Sequence, residues 1–170
     1  MFAMMRGSLS YLRRKPVLTA GLLLLLSLVL FTTLGRFLVD TSMATVLSVP
    51  AKPPPSQEHP LGTTYLGRDL LAVMVIAIGL TLRVGFIAGI LGVTIATVLG
   101  FVAAYYGGVI DGVIRWVVEV AITIPSLLIL ILIAISVGGI SVNQMALVVA
   151  STAWIGPTRS IRSQALSLRE

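Results

Sequence analysis

From Val84 to Tyr106 the chain runs 23 residues without one charged side chain. As a helix that stretch reaches roughly 34 Å, enough to cross the roughly 30 Å hydrocarbon core of a bilayer. A helix satisfies its own backbone hydrogen bonds, so lipid tolerates it where it would not tolerate an open loop. A second uncharged run, Val17 to Leu34, holds 18 residues and reaches roughly 27 Å. Only 11% of the 170 residues are charged and the mean hydropathy is +1.06, against roughly 25% charged in soluble domains. The expectation is an all-α, polytopic membrane helical bundle. The length has room for about four or five spans plus loops, and not for a membrane domain fused to a soluble enzyme.

The first run follows Arg6, Arg13, Arg14 and Lys15. A basic flank before an apolar core also describes a signal peptide, and Arg13 and Arg14 form a twin-Arg pair. Signal cores run about 7 to 15 residues, however, and further apolar segments follow, so an uncleaved anchor is expected. From Gly35 to about Asp69 the composition turns polar, with Pro50, Pro53, Pro54 and Pro55 ahead of Ser56-Gln57-Glu58-His59-Pro60. Such a segment belongs in water or against protein. Leu70 to Leu82 is a 13-residue apolar run closed by Arg83, short for a span of its own. The absence of turn residues around Arg83 favours one crossing shared with Val84–Tyr106.

Tyr105, Tyr106, Gly107, Gly108 and Asp111 read as an interfacial aromatic pair and a turn. A third span is expected from about Val113 to Val137 with Pro125 near its middle, then a Gly138-Gly139 turn. Asn143 is the expected N-cap of a fourth helix that starts at Gln144 and reaches Trp154; whether it continues past Pro157 stays open. With an internal N-terminus and four crossings, Arg6, Arg13, Arg14, Lys15, Arg115, Arg159, Arg162 and Arg169 fall inside, 8 in all. Outside fall 4, namely Arg36, Lys52, Arg68 and Arg83, the last at a helix end where it snorkels. This bias favours both termini in the cytoplasm. It also accounts for the net charge of +6 without nucleic acid as a partner.

Gly85, Gly89, Gly92, Ala96, Gly100 and Ala103 recur at the helical period and form a shallow stripe. Such small-residue faces let helices approach closely in lipid, within the bundle or against another subunit. Glu119 lies one turn after Arg115 near the cytoplasmic start of the third span. It is either a functional intramembrane acid or half of an interfacial ion pair that sets helix depth. Pro125 removes a backbone hydrogen bond and should kink its helix, shaping a pathway or merely fitting its neighbours. With no cysteine and His59 as the only histidine, thiolate metal sites and His clusters are excluded. No serine sits in a nucleophile-elbow context, and no GxxxxGK[ST] loop is present, so any ATPase is another chain.

His59-Pro60-Leu61-Gly62-Thr63 followed by Leu66-Gly67-Arg68-Asp69 is similar to the HPLGTDxLGRD stretch of a known family, with Thr64 where Asp is usual. Tyr105-Tyr106-Gly107-Gly108, Asp111, Arg115, Glu119 and Pro125-Ser126-Leu127-Leu128 resemble its AGYxGGxxD, MRxxD and FPxLLL series, with Glu119 for Asp and Ile124 for Phe. Trp154, Arg159, Arg162 and Leu166 to Glu170 continue the likeness. The family is the C-type permease subunit of binding-protein-dependent ABC importers for dipeptides, oligopeptides and nickel. One stretch departs from it: Leu70 to Leu82 is almost wholly apolar where the family carries polar and basic residues.

The resemblance implies a type-1 importer permease fold in a bacterial cytoplasmic (inner) membrane. Residues 1–58 would hold the N-terminal cytoplasmic segment, first transmembrane helix and outer loop, and residues 59–170 the N-terminal part of the permease domain. Implied partners are the lipid bilayer, a second homologous permease, two ATPase subunits that use the ATP, and an extracytoplasmic solute-binding protein; no cofactor is implied in this chain. The EAA-type coupling loop is expected just beyond Glu170, so the chain reads as part of a longer subunit, the alternative being a non-transporting remnant with a scaffold role. By this likeness the motif or packing candidates are His59, Gly62, Gly67, Arg68, Asp69, Gly85, Gly89, Gly92, Glu119, Pro125, Arg159 and Arg162, and none is catalytic.

Overall fold

Pro16 opens the first helix at a position where its missing N–H forfeits no helical bond, and α1 runs Pro16–Leu38. The computed structural model describes residues 15–51, 54–136 and 138–168. Arg6, Arg13, Arg14, Lys52, Pro53, Val137, Arg169 and Glu170, which enter the readings above, lie outside the described residues. After α1 come a short 3-10 turn at Thr41–Ala44, α2 (Leu70–Tyr106), α3 (Gly108–Thr123), α4 (Ser126–Ser136), α5 (Val142–Ala153) and α6 (Ile155–Ser167). The fold is all-α, as expected, and among the described residues extended pairing is limited to one isolated bridge, Thr63 with Asp69. Contacts divide the chain into two units, residues 1–81 and 82–170.

In the first unit α1 and the start of α2 pack antiparallel through small side chains. A Cβ on Gly35 would stand 2.6 Å from Val75 Cγ2, and Gly79 faces Thr32 and Arg36. Ala72 and Val75 are fully buried beneath this contact. Most other α1 leucines, among them Leu22 to Leu26, are about half exposed, the surface a helix presents to lipid. The 3-10 turn is capped by Asp40, whose carboxylate accepts the Ser42 amide at 2.9 Å. Hydrogen bonds from the Ser42 side chain and then its backbone hold that carboxyl below its ordinary pKa.

The two apolar runs on either side of Arg83 form one helix of 37 residues, roughly 55 Å long. Arg83 therefore lies inside a helix and not at its end. Arginine is a good helix former, and with neither Gly-Pro punctuation nor a cap beside it nothing breaks the backbone there.

In the second unit the core is built almost wholly of small residues: Ala96, Ala103 and Ala146 are fully buried, and Ala88, Ala104, Ala150, Val118 and Thr158 nearly so. Gly107 and Gly108 both take positive φ, 62° and 51°, which lets the chain turn from α2 straight into α3. The expected kink at Pro125 is a full break, with α3 and α4 bent 69° apart. Ile124 is extended, as a residue before proline is biased to be, and Leu128 N–H restarts the helix on Pro125 C=O at 2.9 Å.

The cap of α5 is Ser141, not Asn143. The Ser141 hydroxyl accepts Gln144 N–H, and the Gln144 side chain accepts Ser141 N–H at 2.7 Å, a reciprocal capping box. The helix then breaks at Trp154 and resumes as α6. Pro157 offers no N–H to Ala153, and Thr158 takes up Trp154 C=O instead through N–H at 3.1 Å and hydroxyl at 2.6 Å. By length and composition α1 and α2 can each cross a membrane, and the bent α3–α4 pair makes a third if it is one span. At 12 residues α5 is short of the roughly 20 that a straight span needs, so a fourth crossing would have to run on past Trp154 into α6 (Ile155–Ser167).

Candidate functional site

The HPLG and LGRD segments fold together as the cap of α2. His59 Nδ1 and Asp69 Oδ2 lie 2.8 Å apart, with side chains 12% and 4% exposed. A carboxylate only accepts, so the imidazole N–H donates. The other carboxylate oxygen accepts the Ala72 amide at 2.8 Å, which satisfies one of the orphan donors of the first α2 turn. Asp69 thus ties the loop to the helix with both oxygens, while its own N–H bonds Met43 C=O at 2.9 Å.

The two glycines of these segments are backbone requirements. Gly62 sits at φ 74°, between His59 C=O and Leu70 N–H, with hydrogen bonds of 2.8 and 3.1 Å. Gly67 sits at φ 62°, where a Cβ would approach Val49 O to 2.5 Å; that carbonyl region is held by Val49 N–H on Gly67 C=O at 3.1 Å. Thr64, the departure from the family pattern, accepts Arg68 N–H on its hydroxyl at 3.3 Å. Arg68 Nε is buried without a hydrogen-bond partner among the described residues. This constellation ties the loop to the first turn of α2 through hydrogen bonds of Asp69.

The small-residue stripe of α2 divides. A Cβ on Gly92 would stand 2.7 Å from Ala153 Cβ and 3.1 Å from its carbonyl carbon, and one on Gly100 would meet Ile161 Cγ2 at 2.9 Å. Gly85 and Gly89 have nothing within 4 Å of that position. Close approach within the chain is thus made by Gly92 and Gly100, whereas Gly85 and Gly89 face open space although their neighbour Ala88 is almost fully buried.

Arg162 binds Asp111 with two nitrogens, Nη2 donating to Oδ2 at 2.6 Å and Nε to Oδ1. With side chains 22% and 17% exposed, this bidentate pair is the strong kind of ionic contact, and it joins the start of α3 to α6. Arg115 and Glu119 form the expected i,i+4 pair, but at 4.0 Å with 57% and 63% exposure; it sets side-chain position and adds little stability. Arg159 and Glu119 line the same cleft between α3 and α6. Sequence reasoning named Asp111 and Arg162 separately and missed their pairing. They are 51 positions apart, and the one legible hint was an acid in the first turn of a helix, where the helix dipole favours it.

Residues 96–170 match a family described as binding-protein-dependent transport system inner membrane component. The chain is 34% identical over 172 residues to the dipeptide transport system permease protein DppC of Bacillus subtilis (strain 168), covering 96% of this chain and 53% of that protein. It is 31% identical over 166 residues to the protein of the same name from Alkalihalophilus pseudofirmus, covering 97% and 54%. It is also 31% identical over 118 residues to the oligopeptide transport system permease protein OppC of Mycobacterium bovis, covering 69% and 40%. The chain spans about half the length of these two dipeptide permease relatives. With its helix-only architecture, the chain belongs to the family of binding-protein-dependent transport system inner membrane components, as a relative of the C-type dipeptide and oligopeptide permeases.

Proposed function

We propose that the chain is a membrane-spanning permease subunit, or part of one, of an ABC importer for peptides or related small solutes. The observation that carries this is the 34% identity along 96% of the chain to a dipeptide transport system permease protein. In this reading the subunit crosses a bacterial cytoplasmic membrane several times from a cytoplasmic N-terminus, and pairs with a second homologous permease. Two separate ATPase subunits hydrolyse the ATP, and an extracytoplasmic binding protein delivers the solute to the outer-loop face. The excess of Lys and Arg assigned to the inner side supports the orientation. The rigid cap around His59 and Asp69 supports a loop that keeps one shape when a partner meets it.

The test is uptake of a labelled dipeptide by cells in which this gene is deleted and then restored. Loss of uptake on deletion, recovery on complementation, and an ATPase and a second permease that copurify with the tagged product are the expected results. Unchanged dipeptide and oligopeptide uptake, with no ATPase in the purified material, overturns the reading.

A further inference from the structure

Beside the Asp111–Arg162 pair, α3 and α6 leave a cleft of about 420 Å³ that carries Arg115, Arg159 and Arg162 against Glu119 as its one lining acid. The three cations are not equivalent. Arg162 is held by Asp111. Arg115 meets Glu119 only at 4.0 Å, with both more than half exposed, and Arg159 has no ion pair among the described residues. Asp111 cancels one cation and Glu119 another, so about one positive charge remains, with two guanidinium groups free to donate. Two of the three lining hydroxyls are already committed, Thr158 donating to Trp154 C=O at 2.6 Å and Ser163 to Ser160 C=O at 2.9 Å, which leaves the Ser160 hydroxyl beside the guanidinium groups. The cleft asks for a ligand rich in acceptors and negative, and two guanidinium forks suit a phosphate.

The remaining lining decides which phosphate. Ile114 and Val118 form an apolar wall beside the arginines. Val113, Trp116 and Val117, their neighbours on α3, are 55%, 64% and 40% exposed, and an indole ring prefers the headgroup level of a membrane. An inorganic phosphate gains nothing from such surroundings, whereas a phospholipid brings an anion and acyl chains together. Basic pockets between membrane helices on the cytoplasmic side are suited to anionic headgroups. The geometry points to an anionic phospholipid headgroup seated between α3 and α6, its phosphate on Arg115 and Arg159. This rests on the proposed cytoplasmic side for this end of α3 and on nothing about the transported solute.

The test is native mass spectrometry of the full subunit, in the complex in which it is recovered, titrated with phosphatidylglycerol or with phosphatidylcholine. Wild type should retain phosphatidylglycerol preferentially. The Arg115→Gln/Arg159→Gln double variant should lose that preference by roughly tenfold or more, as expected for two basic groups near an anionic headgroup. Both side chains are exposed and Arg162 is left intact, so the fold should survive. Arg83→Gln, which removes one positive charge elsewhere, should keep the preference. Equal retention of the two lipids by wild type, an unaffected double variant, an equal loss with Arg83→Gln, or inorganic phosphate displacing the lipid as readily as phosphatidylglycerol itself would each overturn the proposal. Loss of the lipid preference with dipeptide uptake intact leaves the transport reading standing, and the reverse result leaves this one standing.

Discussion

Gly92 and Gly89 lie three residues apart on one helix, in opposite surroundings. At Gly92 an added Cβ meets the Cβ and carbonyl carbon of Ala153, and a backbone atom cannot rotate away as a side-chain tip can. Gly92→Leu is therefore expected to destabilise the chain by about 1–3 kcal/mol, the usual range for overpacking. Gly89→Leu meets open space and should be neutral or mildly stabilising, since Gly disfavours a helix interior by roughly 0.5–1 kcal/mol relative to Ala. Thermal unfolding of the two variants in detergent separates them. Equal destabilisation would show that the α2–α5 contact at Ala153 is not what Gly92 serves. The same reasoning distinguishes the glycines of the outer loop, where Gly67 is required both by its positive φ and by Val49 O, while helical Gly21 has nothing within 4 Å.

Between α3 and α4 one residue decides the architecture. Pro125 withholds an N–H and pushes Ile124 into extended backbone, and the result is a 69° bend. Pro125→Ala should let the two helices join into one. A pair of spin labels at Val113 and Ile133 should then move apart, toward the roughly 30 Å that 20 helical steps cover; an unchanged distance would mean that packing of α4 on α5, and not proline, sets the angle. The break was legible in the sequence as a proline inside an apolar run, but its size was not, because a proline kink and a proline break differ only in what packs on either side. Helix existence was legible for the same reason throughout: long uncharged runs leave few alternatives in lipid. Boundaries were less so. Ser141 and Asn143 are both competent caps, and only the reciprocal bond with Gln144 selects the first. The continuity of α2 through Arg83 was read from missing punctuation, whereas the His59–Asp69 and Asp111–Arg162 contacts were invisible, because no local spacing rule reaches across a loop or between helices.

Over the whole chain, the number of crossings follows from what the bent α3–α4 pair does. α1 and α2 are each long enough to cross; in the proposed reading both do, which would put the outer loop and the Tyr105–Tyr106 turn on opposite sides of the membrane. The bend is compatible with a broken span that ends on the outer side, or with a pair that enters and returns to the side of Tyr106. The balance of charge argues for crossing: the α3 start carries Asp111 and Arg115, whereas Ser126–Ser136 has no charged residue and gains by passing fully into lipid. These 170 residues contain no cysteine, so single cysteines placed among them report sidedness once any cysteine elsewhere in the subunit is replaced. Ser56→Cys in the outer loop and Asn143→Cys after the α4–α5 connection should both react with an impermeant maleimide on intact spheroplasts. Ser163→Cys on α6 should react only after permeabilisation. If Asn143→Cys is protected until permeabilisation while Ser56→Cys is labelled, the bent pair returns to its starting side, and α3 rests along the cytoplasmic interface without crossing.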